Sequence, residues 1–164
     1  KRPDNFRPFF YPMKEDIISF ESQIDPAYNV SVVYREYERY DELADIMGKF
    51  GDTIALLNLN TNHIFVDGEK LTDLNFDHLL AIQAHEICHS VLRHSPGISE
   101  AEEIEADLAA ISLLTEIGYY KAAGLLAERL QNVRCIDYSL ETFKETLSQG
   151  KLDLYEEYLK LLSK

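Results

Sequence analysis

Apolar residues change period along this chain. Short alternating runs come first, and helical spacing takes over after about residue 75. Residues 29–34 alternate and are rich in valine, which predicts a strand. Residues 53–59 and 63–66 predict two more, joined by a tight connection at Asn60-Thr61-Asn62, with the next turn at Asp67-Gly68. Leu43, Ile46, Met47 and Phe50 fall at helical spacing, so residues 38–50 read as a helix stopped by Gly51-Asp52. Asn75 is the expected N-cap of a long helix from about Phe76 to Arg93, ended by Pro96-Gly97. Ser99 opens the next helix, with Glu102 three residues later completing a capping box, and Gly118 breaks it. Residues 119–130, 138–147 and 152–162 predict three further helices. Strands first and helices afterwards indicate an α+β domain.

Pro3, Pro8 and Pro12 interleave with Phe6, Phe9, Phe10 and Tyr11, so residues 1–15 read as an extended arm. The remainder divides into a domain over residues 16–133 and a helical extension over 134–164 packed on that domain. At 164 residues the chain can bury one sizeable core. A formal charge of −13 repels phosphate backbones and anionic lipid heads, which argues against nucleic acid and membrane surfaces as partners. The same charge would suit a neutral or basic polypeptide, although a solubilising surface explains it equally. No apolar run approaches a membrane span and no signal-peptide pattern is visible, so a soluble, cytoplasmic protein is expected. Cys88 and Cys135 do not make a disulfide framework, and Cys88 reads as a small buried apolar residue.

The chemistry sits at His85-Glu86-Ile87-Cys88-His89, an H-E-x-x-H pattern within a helical period. Residues four apart stand on one helix face, so both imidazoles can grip one metal ion. Two of only five histidines at this spacing beside a glutamate make metal binding the favoured reading over surface histidines. Hydrolytic zinc needs three protein ligands and one open position. On the next helix Glu103 and Asp107 are four apart, so Glu103 can supply the third ligand while Asp107 accepts the outer N–H of a ligand histidine. First-turn acids also answer to the helix dipole, and Glu105 is the alternative ligand, otherwise a solvated side chain on another side. One Zn2+ per chain would make water acidic near neutral pH, with Glu86 as general base. Tyr119, Tyr120, Arg93, His94 and Arg134 are the candidate oxyanion donors; for His94 a role at the helix C-terminus is favoured over catalysis.

On these residues the chain resembles the gluzincin metallopeptidases. It is most similar to their CAAX-protease and heat-shock-protease branch and to that branch's short soluble relatives, the minigluzincins. The similarity covers about residues 58–130. It includes the lead into H-E-x-x-H, the E-x-x-A-D element at Glu103 to Asp107, and Gly118-Tyr119-Tyr120 with Ala122 and Ala123. The resemblance implies a zincin-like fold with an edge strand ahead of the active-site helix. It also implies peptide-bond hydrolysis, with an extended polypeptide laid beside that strand near Asn60, His63 and Phe65. The branch's membrane spans and its downstream His-Pro element are absent. A repressor-cleaving regulatory metallopeptidase is a competing resemblance, carried by H-E-x-x-H, a trailing histidine like His94 and E-x-x-A-D. From another class, a zinc-containing binding module with little catalysis is the alternative.

Overall fold

The computed structural model describes residues 17–34, 54–71, 75–95 and 97–164. The expected N-terminal arm and the helix over 38–50 lie outside the described residues. A four-stranded mixed sheet precedes five helices, so the protein is α+β. The chain forms two compact units, residues 1–75 and 76–164, and the last two helices belong to the second.

The sheet contains β1 (Ile17–Glu21), β2 (Asn29–Val33), β3 (Ala55–Asn58) and β4 (His63–Asp67), in the order β1-β2-β4-β3. β1 has no counterpart among the strands read from the sequence. β2 runs antiparallel to β1 and parallel to β4, with Ser31 opposite Phe65; β3 and β4 are antiparallel, with Leu57 opposite Ile64. Alternation then sorts the side chains. Val30, Val32, Ile64 and Val66 share one face and are fully buried. Val33 on the other face packs with Ile17, Leu56 and Phe65.

This order corrects the expected edge strand. β4, which carries His63 and Phe65, is hydrogen-bonded on both sides, so it has no free backbone edge to offer an incoming chain. Among the described residues the outer strands are β1 and β3. The parallel pairing with β2 is what moves β4 inward. After β4, Asp67 accepts from the backbone N–H of Glu69 at 3.1 Å and opens a single 3-10 turn, Gly68–Lys70. A Cβ at Gly68 would lie 2.7 Å from the Tyr34 ring, so only glycine fits there without displacement.

The helical unit holds α1 (Phe76–Val91), α2 (Glu100–Glu116), α3 (Tyr120–Arg134), α4 (Leu140–Thr146) and α5 (Gln149–Leu162). α1 packs on α2, α3 and α5, and α2 also on α3 and α4. Leu80, Ile87, Leu108, Leu113 and Leu130 are fully buried in this unit. Each such side chain contributes about 1.5–3 kcal/mol relative to exposure. The capping box expected at α2 is present, with Ser99 accepting from the Glu102 N–H and the Glu102 carboxylate accepting from the Ser99 N–H, both at 3.2 Å. Gly118, at φ 94°, ends α2 in a left-handed turn that returns the Tyr119 N–H to the Leu114 carbonyl.

α1 stops at Val91, two residues before its expected end. Arg93 takes a left-handed φ of 58°. Its N–H bonds the Ser90 carbonyl, and the His94 N–H bonds the His89 carbonyl at 3.0 Å. This paired pattern closes a helix in the same way as at Gly118, but with an arginine where glycine is favoured. The chain therefore folds back at His94. No helix among the described residues is long and apolar enough to cross a membrane.

Candidate metal centre

Helical spacing brings His85 and His89 to one face of α1, and the first turns of α2, which carry Glu103 and Asp107, lie against that face. His85, His89 and Glu103 each turn a donor atom into one cluster and form a group that could hold a metal ion. His85 Nε2 lies 3.1 Å from Glu103 Oε1 and 3.0 Å from His89 Nε2, and His89 Nε2 lies 3.6 Å from Glu103 Oε1. Donor atoms about 2.1 Å from a tetrahedral ion stand about 3.4 Å from one another. The three separations straddle that value, so the donor set fits such an ion without rearrangement. Among the described residues the group supplies two nitrogens and one carboxylate oxygen.

The surroundings favour positive charge between these atoms. His85 Nδ1–H donates to Asp107 Oδ1 at 2.7 Å, which turns the Nε2 lone pair inward. Burial works against a charged His85. The hydrogen bonds to Asp107 and Glu103 and the charges of Glu86 and Asp107 outweigh it, and its pKa is raised to about 10. The hydrogen bond from His85 and the adjacent imidazole of His89 hold the Glu103 carboxyl well below the usual carboxylate range. His85 and His89 are buried, and the Glu103 side chain keeps 33% of its exposure, so solvent reaches the cluster beside Glu103.

The Glu86 side chain is half-buried and makes no hydrogen bond to another described side chain. Burial pushes its pKa up against the opposing charges of His85, His89 and Arg129. Asp107 accepts from His85, and Glu103 stands with the two histidines in the group that could hold a metal ion. Glu105 differs from expectation. Its carboxylate is not solvated: it accepts from His94 at 2.9 Å and from Lys151 at 2.6 Å, with 13% of the side chain exposed. That engagement on another side removes it as the alternative ligand. His94 is buried, with its Nδ1 2.8 Å from Nδ1 of His89. Its side chain therefore faces inward to His89 rather than serving the helix terminus. Cys88 is fully buried and its thiol pKa is pushed up by burial, in keeping with a packing role.

Asn60, His63 and Phe65 belong to the sheet unit. Asn60 is exposed in the turn before β4, its N–H bonded to Asn58 Oδ1. His63 stacks on Phe65 with ring centroids 4.2 Å apart and meets Ser31 Oγ at 2.7 Å. Among the oxyanion candidates, Arg134 is paired with Glu100 and His94 with Glu105, while Tyr120 is exposed. Arg129, an exposed mid-helix residue whose charge reaches Glu86, carried no sequence signal beyond an amphipathic period. Comparison with protein-family models, curated proteins and solved structures finds no match to this chain.

Proposed function

We propose that the chain is a small zinc-dependent peptidase of gluzincin type and zincin-like fold. The observation that carries this reading is the convergence of His85, His89 and Glu103 within 3.6 Å of one another, with the uncommitted Glu86 carboxylate between the two histidines in sequence. Two imidazoles and one carboxylate form the donor set of several catalytic zinc sites, and a purely structural site would call for a fourth protein ligand. Bound zinc supplies a Lewis acid and lowers the pKa of water toward neutrality.

The chain's own residues do the rest. Asp107 and the hydrogen-bonded histidines hold the donor atoms in place. Glu86 accepts a proton from the attacking water and returns it to the leaving amine. The substrate of this reading is a polypeptide bound in extended form.

One observation favours a second reading, a binding module that keeps zinc without efficient turnover. Two of the expected oxyanion donors, His94 and Arg134, are already committed to carboxylates. Peptide-library cleavage by the zinc-loaded protein and its Glu86→Gln variant separates the two readings. The peptidase reading predicts one zinc per chain in both, with cleavage about 100- to 10,000-fold slower in the variant. Equal zinc content with no cleavage by either would support the module.

A further inference from the structure

We propose that His94, anchored by Glu105 and Lys151, is a positioning residue for His89. It sets which ring nitrogen of His89 faces the cluster and makes the C-terminal helix α5 a working part of the metal centre. The proposal deepens the reading of His85, His89 and Glu103 as ligands and rests on it.

The hydrogens can be placed from the outside inward. Glu105 Oε1 lies 2.6 Å from Lys151 Nζ and 2.9 Å from His94 Nε2. A carboxylate only accepts, so His94 Nε2 carries a hydrogen. A His89 that ligates through Nε2 carries its hydrogen on Nδ1, and the other nitrogen of His94, its Nδ1, is the atom placed to accept it. That Nδ1 is 2.8 Å from His89 Nδ1, and two nitrogens at this separation share one hydrogen, here supplied by His89. His89 then keeps its lone pair on Nε2, the atom 3.0 Å from His85 Nε2 and 3.6 Å from Glu103 Oε1. The opposite tautomer would leave two bare nitrogens facing each other and turn an N–H into the ligand cluster.

Burial makes this network demanding. The His94 side chain has no solvent exposure, so both of its nitrogens need protein partners, and His89 and Glu105 are the two it has. The fold works to deliver it: the left-handed Arg93 reverses the chain after α1, and Ser148 caps α5 so that Lys151 stands in the first turn. The two ligand histidines are thus steadied differently. His85 has the Asp107 carboxylate behind it, whereas His89 has an imidazole whose carboxylate partner also meets a lysine.

The test measures zinc affinity by chelator competition on the full chain for the wild type, His94→Ala and His94→Gln, with Co2+ absorption spectra of each. His94→Ala is expected to bind zinc about 10- to 100-fold more weakly and to alter the cobalt spectrum. His94→Gln, whose side-chain carbonyl accepts from His89 Nδ1–H, is expected to recover most of the affinity. Nitrogen NMR of the zinc-loaded wild type should find the His89 hydrogen on Nδ1, a readout independent of whether His94→Ala folds. Wild-type affinity and an unchanged cobalt spectrum in His94→Ala, or a hydrogen on Nε2 of His89, overturn the proposal while leaving the ligands intact. A wild type that takes up no stoichiometric zinc overturns the ligand reading and the proposal together.

Discussion

His63 and His85 are both histidines with a polar partner under 3 Å, yet their surroundings point to different work. In the sheet unit, His63 stacks on Phe65 and meets the Ser31 hydroxyl, which in turn meets Ser19. Those contacts satisfy one another locally and converge on nothing. Burial lowers the pKa of His63. In the helical unit, His85 has carboxylates on both sides, its pKa is raised to about 10, and its inner nitrogen faces two other donor atoms. A histidine becomes a ligand candidate when its second nitrogen is held and its first faces other lone pairs.

The sharpest way to break this contrast is a paired substitution. His85→Ala removes one of three ligands and should weaken zinc binding by about 100- to 1000-fold. His63→Ala should leave zinc affinity at the wild-type value. Isothermal titration of the metal-free proteins measures both, and equal affinities in the two variants would erase the distinction.

Much of this centre was legible because its geometry is local. His85 and His89 are four apart, as are Glu103 and Asp107, and a regular helix converts that spacing into a shared face whatever else the chain does. Ser99 and Glu102 marked the start of α2 for the same reason. The misreadings arise where position depends on distant pairing or an unmarked turn. β4 has an ordinary strand pattern, and nothing in it shows that β2 will pair with it in parallel and close its second edge. Residues 17–21 follow a proline- and aromatic-rich run and alternate poorly, so β1 went unread. His94 reaches His89 only because Arg93 adopts a conformation that glycine normally signals. Glu105, two residues from Glu103, falls on another side of α2, and its partners come from a turn and from α5.

A smaller effect sharpens the contrast within the helical unit. Asp107→Asn keeps a hydrogen-bonding group of the same size but removes the charge behind His85. Zinc affinity should fall by about 10- to 100-fold in chelator competition, with little change in metal stoichiometry. A fall as large as that of His85→Ala would mean that Asp107 is itself a ligand. The smallest effect concerns the sheet unit. Gly68→Ala forces the Tyr34 ring to move and should lower stability to urea by about 1–3 kcal/mol while leaving zinc affinity unchanged. A matching loss of zinc affinity would show that the integrity of the sheet unit governs the centre.

An anomalous-scattering map collected above the zinc edge from zinc-soaked crystals tests the central claim most directly. It should show one strong peak per chain, about 2.0–2.2 Å from His85 Nε2, His89 Nε2 and a Glu103 carboxylate oxygen. No peak there, with those three side chains turned apart under zinc excess, would contradict it.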